Sequence, residues 1–215
     1  MSMQTRRERE KQEMKMAILA AATKIIIEEG YDKLSMRKIA DAIEYTPTTL
    51  YNYYKDKSQI IESIAKEMYM KIVSATKGVL HDHSNLPMNT SLMLAFKVFI
   101  YTMTDNAEMV KAVMRSGVKV IFASNDESAL DLTSASDTDD GISILQSFLQ
   151  EGQRQSIFRC LDENVAWMLI TALLGFSMNA IENQLFLNDN WENLVDMYIE
   201  ILVHGIVSIN EGGMK

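Results

Sequence analysis

The reading of Ser35 to Lys57, SMRKIADAIEYTPTTLYNYYKDK, decides the fold. It parses as two short helices joined by a tight corner. Ser35 is a natural N-cap, because its hydroxyl can accept from the free N–H groups of a first helical turn. Ile39, Ala40 and Ile43 then form a small apolar face at helical spacing. Glu44-Tyr45 makes the corner, and Thr46-Pro47 restarts the chain as an N-cap followed by proline at the first helical position. The second helix turns Leu50 inward, while Thr48, Thr49, Tyr51, Asn52 and Tyr53 have no core to fill. A short helix of polar and aromatic residues after a tight corner suits a DNA major groove. Its opening N–H groups and its hydroxyls can meet phosphates and base edges.

The segment upstream completes a three-helix unit. Ala17 to Glu29 carries Ile18, Ala21, Ala22, Ile25 and Ile26 on one face, and Gly30 stops it. Ile39-Ala40, then Leu50-Tyr51-Asn52-Tyr53-Tyr54 and Lys57, resemble the helix-turn-helix of the TetR family of bacterial transcriptional repressors. Ile18-Leu19, Ala21-Ala22, Ile25-Ile26 and Gly30-Tyr31 resemble that family's first helix and its glycine stop. The resemblance covers roughly residues 16 to 60. The family pattern places Gly-Val or Gly-Ile at the corner, where this chain has Glu44-Tyr45. A non-glycine residue with positive φ costs about 1 kcal/mol or more unless it is Asn or Asp, so a remodelled corner is the expectation.

The formal net charge of −8 looks wrong for a DNA binder, but it is unevenly spread. Residues 1–57 hold 11 Lys+Arg against 9 Asp+Glu, a balance of +2, and the remainder carries −10. The acidity therefore belongs to the second part, and DNA affinity depends on where the few excess cations sit. Residues 1–15 interleave Arg6, Arg7, Arg9, Lys11 and Lys15 with Glu8, Glu10 and Glu13. They read either as a solvated helical extension with i,i+4 charge pairs or as a basic arm that follows DNA. The lone cysteine, Cys160, excludes an intrachain disulfide and fits a reducing cytosol, and no signal peptide is read at the start.

Beyond residue 57 the pattern stays helical. Lys57 and Ser58 open a long helix through about Gly78, which resembles the family's connector between DNA reader and body. His81-Asp82-His83 through Pro87 reads as a surface loop, since two histidines without further ligands nearby make no metal site. Thr90 to Thr104 is apolar nearly all round and calls for burial on most sides. A shorter helix runs from Asp105 through Arg115, followed by an apolar run from Val118 to Phe122. Ser124 to Gly141, acidic and serine-rich, reads as a mobile or partly helical linker. Ile142 to about Gln155 resumes a helix with Ile144, Leu145, Phe148 and Leu149 inward.

Asn164 to Ile181 holds no charged residue across eighteen positions, the lower edge of a membrane span. Asn164, Thr171, Ser177 and Asn179 interrupt it and its flanks are acidic, so a helix at a subunit interface is the better reading. The last helix, from about Trp191 to Asn210, presents Leu194, Met197, Tyr198, Ile201, Leu202, Gly205, Ile206 and Ile209 as one stripe. Two such helices pairing with their symmetry mates make a four-helix bundle, and Gly175 and Gly205 permit close approach.

Catalysis leaves little trace: there is no phosphate loop, nucleophile elbow, Cys-x-x-Cys or His-Glu-x-x-His. His204 reads as an interface or core histidine. The sixteen methionines serve equally as core gap-fillers or as adaptable cavity walls. The expectation is an all-α chain with a helix-turn-helix DNA-binding domain at 1–57 and an effector-binding and dimerisation domain at 58–215. It is expected to be a cytoplasmic, non-enzymatic regulator with no metal and no cofactor. Its partners would be a double-stranded operator, a second copy of itself and an unidentified small apolar or aromatic effector, with no membrane. By resemblance, Arg37, Thr46, Thr48, Thr49, Tyr51, Tyr53 and Lys57 would contact DNA, the last three named mainly on phosphates. The family's cavity would fall among Phe96, Phe99, Ile100, Met103 and Phe148. A DNA-bound adaptor that answers to a protein partner, without a small molecule, is the alternative.

Overall fold

The computed structural model describes residues 3–82, 86–117, 120–121, 130–131, 141–159, 162 and 164–208. Among these the chain is built of helices, α1 (Met3–Glu29), α2 (Met36–Ala42), α3 (Pro47–Tyr51), α4 (Lys57–Asp82), α5 (Met88–Asp105), α6 (Ala107–Ser116), α7 (Gly141–Arg154), α8 (Val165–Glu182) and α9 (Trp191–His204). Two-residue strands at Val120–Ile121 and Leu130–Asp131 pair with each other. The fold is all-α, with the helix-turn-helix at its N-terminal end.

One compact unit comprises Met1–Met68, Ala107–Val120 and Glu127–Leu130. Its core gathers Ile18 and Ile26 of α1, Ile39 of α2, Leu50 of α3, and Ile60 and Ile61 of α4, all fully buried. Burying each such side chain contributes about 1.5–3 kcal/mol. Met109 and Ala112 of α6 close the same core, a role the sequence pattern alone did not assign to them. Residues 6–13 of α1 extend it as an exposed helix, with Arg6 and Glu10 at 2.8 Å and Arg9 and Glu13 at 3.5 Å. Gly30 stops α1 with φ at +87°.

The other unit comprises Tyr69–Asn106, Ile121–Asp126 and Asp131–Lys215. In it α5 packs against both α8 and α9, and α7 packs against α8. Lys97 on α5 donates to Asp196 at 2.8 Å and to Glu192 at 3.3 Å, tying α5 to α9. Tyr198 of α9 donates its hydroxyl to Ala172 O of α8 at 2.6 Å and stacks on Phe176, ring centres 4.1 Å apart.

Several boundaries differ from the sequence pattern. Helix α4 runs four residues beyond Gly78, so His81 sits in its last turn and not in a loop. The apolar run after α6 includes a strand at Val120–Ile121. Helix α9 ends at His204, because the chain turns there to pair with the end of α7: Arg159 N donates to Ile206 O and Ser208 N to Ile157 O. His83, Cys160, Ile209 and most of the 124–141 linker lie outside the described residues.

Candidate DNA interface and effector cavity

The helix-turn-helix is fastened by local hydrogen bonds. Ser35 Oγ accepts from Lys38 N at 3.2 Å and Thr46 Oγ1 accepts from Thr49 N at 3.2 Å, so both helices carry the side-chain caps their sequences call for. At the corner Tyr45 N donates to Ala40 O at 2.9 Å and Glu44 N to Asp41 O at 3.3 Å. These are the two bonds of a Schellman motif, with Glu44 as its left-handed residue at φ 60°. The corner is therefore not remodelled. Glu44 takes the conformation glycine adopts freely and carries the strain itself.

Arg37, Thr48 and Tyr51 present exposed side chains on this unit. Arg37 lies 4.0 Å from Asp41, one turn on. Thr46 and Thr49 bond to each other through their hydroxyls at 3.0 Å, so both spend polar capacity on the start of α3. Tyr53, read from sequence as having no core to fill, is half-buried and packs on the core beside Glu10, Glu13, Met14 and Ala17 of α1. Lys57 opens α4 with its ammonium 4.3 Å above the Tyr31 ring, a cation–π contact that orients the charge without neutralising it. The helix is started by Asp56, whose carboxylate accepts from Gln59 N at 3.0 Å. Tyr45 at the corner and Lys55 and Asn52 after α3 are also exposed on this unit; of these the sequence reading counted only Asn52 as surface.

The second unit contains a cavity walled by α4, α5, α7 and α8, with about 610 Å³ of empty space counting its open mouth. Phe96 and Phe99 line it. Ile100, Met103 and Phe148 do not: Ile100 and Met103 are buried in the packing of α5, and Phe148 faces Phe158 at 6.3 Å between ring centres. The wall is completed by Ile72, Val73, Leu92, Leu145 and Leu173, among others.

Helices α8 and α9 each have two apolar sides. Their inner sides bury Leu169, Leu173, Val195, Ile199 and Val203. Their outer sides leave Trp167, Met168, Met197 and Ile201 more than half exposed, Ile201 at 68 %. The stripe at Leu194, Met197 and Ile201 is thus an outward face, and Gly175 on α8 has open space before its α-carbon. Helix α8 is long and apolar enough to cross a membrane by length and composition, but one of its faces is occupied by α5 and α7.

Residues 18–64 match a family described as bacterial regulatory proteins, tetR family. Over this segment the chain matches the TetR family. The match supports a DNA-binding transcriptional regulator. The matched segment contains the capped helix-turn-helix and the strained corner. Among solved structures, the fold is similar to a protein of unknown function from Rhodococcus sp. RHA1 at TM-score 0.71 and 13 % identity, covering 90 % of this chain and 95 % of that one. It is also similar to the fatty acid degradation regulator FadR from Bacillus halodurans, at TM-score 0.66 and 20 % identity, covering 89 % and 95 %. A SmeT–triclosan complex aligns at TM-score 0.62 and 17 % identity, covering 94 % of both chains. At these identities the likeness is one of fold. No curated protein matches the chain by sequence.

Proposed function

We propose that this protein is a homodimeric TetR-family repressor, held on an inverted-repeat operator and released by a small apolar or aromatic effector. The observation that carries the reading is the apolar cavity in the unit that also exposes the α8–α9 face. A groove-reading helix needs no such chamber, whereas a regulator that answers to a small molecule does. One similar structure is of a fatty acid degradation regulator and another is a complex with triclosan, both largely apolar chemistry.

The work is divided near residue 57. In the DNA-binding part, Arg37, Thr46, Thr48, Thr49, Tyr51, Tyr53 and Lys57 face the operator, with Tyr51, Tyr53 and Lys57 mainly on phosphates. Thr48 is the best base reader of the seven, because its side chain is exposed and its hydroxyl is not spent on a cap. In the second part the outward side of α8 and α9 meets its symmetry mate, which removes Trp167, Met197 and Ile201 from water. Two half-sites about one helical turn apart, roughly 34–36 Å, then receive the two readers. The protein acts in the cytoplasm.

Helix α4 supplies the link. Its first half gives Ile60, Ile61 and Ile64 to the reader's core, and its second half gives Ile72, Val73, Thr76 and Leu80 to the cavity wall. An effector that binds better when α4 has moved lowers operator affinity, and a coupling of about 1–3 kcal/mol gives roughly 5- to 150-fold. Reciprocity requires operator DNA to weaken the effector by the same factor.

Selecting bound genomic fragments identifies the operator, and neighbouring genes narrow the effector. Titrating that effector with and without operator is the decisive test. Equal affinity in both would leave the ligand without influence, and control by a protein partner would replace this reading. Light scattering at micromolar concentration tests the assembly, where a single-chain mass would overturn the dimer and Ile201→Glu is expected to produce one.

A further inference from the structure

We infer that the effector is uncharged when bound: a mostly hydrocarbon molecule whose acid or amine analogues enter only in their neutral forms. The inference rests on the cavity being the effector site. Among the described residues the wall contains no acid, base, Asn or Gln. Its polar side chains are the hydroxyls of Tyr69 and Thr76, and both serve the fold. Thr76 Oγ1 donates to Ile72 O at 2.8 Å, with Val73 O at 3.1 Å, and Tyr69 Oη accepts from Gly141 N at 3.0 Å.

Among the described residues, no charged side chain of the four wall helices is part of the lining. Lys71 donates to Asn106, Lys97 is held by Asp196 and Glu192, Arg154 pairs with Glu151, and neither Lys77 nor Glu182 is part of the wall. A carboxylate or ammonium entering this site would lose its hydration and gain no counter-charge. Under those conditions a group sheds its charge by proton exchange rather than binding ionised. A hydroxyl, ether or ester gives up much less on entry. The affinity of an acid should therefore track its neutral fraction and fall tenfold for each pH unit above its own pKa, while that of the matching alcohol stays flat.

The test is calorimetry on the full chain with 1-decanol, decanoate and decylammonium, first at pH 7.5 and then across pH 6 to 8.5. Ala95→Phe and Ile142→Trp, which enlarge two side chains of the cavity wall, are run beside the parent chain. Melting curves select the variant that keeps its fold. The expected result is decanol binding that the folded variant loses, decanoate and decylammonium at least about 100-fold weaker at pH 7.5, and opposite tenfold-per-unit slopes, decanoate falling and decylammonium rising with pH while decanol stays flat. Decanoate or decylammonium binding within tenfold of decanol would overturn the inference and leave the effector site intact. Decanol binding that is absent, or unchanged in a folded cavity-filled variant, would overturn both.

Discussion

Gly152 lies flat against the Phe158 ring, so close that a methyl group on its α-carbon would overlap ring carbons Cδ2 and Cε2. The contact is set by the end of α7. Ser156 takes φ 59° and closes a Schellman motif, with Ile157 N donating to Gly152 O at 2.9 Å and Ser156 N to Gln153 O at 3.0 Å. That turn folds Phe158 back over the helix it has just left, and Phe158 then bridges to Val207.

Helix propensity and packing make opposite predictions at Gly152. Propensity favours Gly152→Ala by about 1 kcal/mol, whereas overpacking costs about 1–3 kcal/mol. Packing should prevail, because the obstacle is a buried ring held by backbone hydrogen bonds on both sides. Gly152→Ala is expected to lower Tm by several degrees, and adding Phe158→Leu should recover part of the loss. A Tm equal to or above the parent's would mean that the ring steps aside freely.

At the corner, Glu44→Gly should stabilise the protein by about 0.5–1 kcal/mol. It removes a left-handed strain of about 1–2 kcal/mol and returns part of that as chain entropy in the unfolded state. It also removes an exposed carboxylate from the helix-turn-helix, so DNA affinity should rise, most at low salt. Chemical denaturation and gel shifts at two salt concentrations measure the two effects. A loss of stability would show that the Glu44 side chain contributes more than its backbone costs.

Lys57 and Thr48 should separate affinity from selectivity. Lys57→Ala is expected to weaken binding to all DNA sequences alike and to flatten the salt slope by about one unit per subunit. Thr48→Ala should change the preferred operator while leaving that slope unchanged. Thr46→Ala should act differently again, costing about 1 kcal/mol of stability through the lost cap. A change of preferred sequence on Lys57→Ala, with the salt slope intact, would reverse these assignments.

The Tyr198 hydroxyl sets an alkaline limit on the second unit. Burial raises its pKa above the ordinary tyrosine value of 10.0, so the folded chain holds the proton more tightly than the unfolded chain. Its contribution is complete below pH 10 and is lost as pH climbs through the raised value. Tyr198→Phe should cost stability at pH 8, through the lost bond to Ala172 O, yet decline less steeply above pH 10. Parallel Tm-versus-pH curves for parent and variant would show that another group sets the limit.

The helix-turn-helix was legible in the sequence because its determinants are local. Ser35 and Thr46 cap bonds three residues away, Ile39, Ala40 and Leu50 face one core, and Gly30 stops α1. Arg6 and Glu10 pair within a single turn, so the charged start of α1 could likewise be read as helix. The sequence left the Glu44 corner open, because a cost of about 1 kcal/mol does not forbid the left-handed conformation when two backbone bonds reinforce it. Tertiary structure alone decided the cavity. Ile72 and Val73 have the period of core residues, and a side chain that lines a space has the same period as one that fills it. Tertiary structure also decided which side of α9 turns outward. Val195, Ile199 and Val203 form one apolar face and Leu194, Met197 and Ile201 another, and periodicity identifies the faces without saying which one the neighbouring helices cover. The closeness of Gly152 to Phe158 depended on where the chain went after α7, and a single residue's conformation at Ser156 fixed that direction.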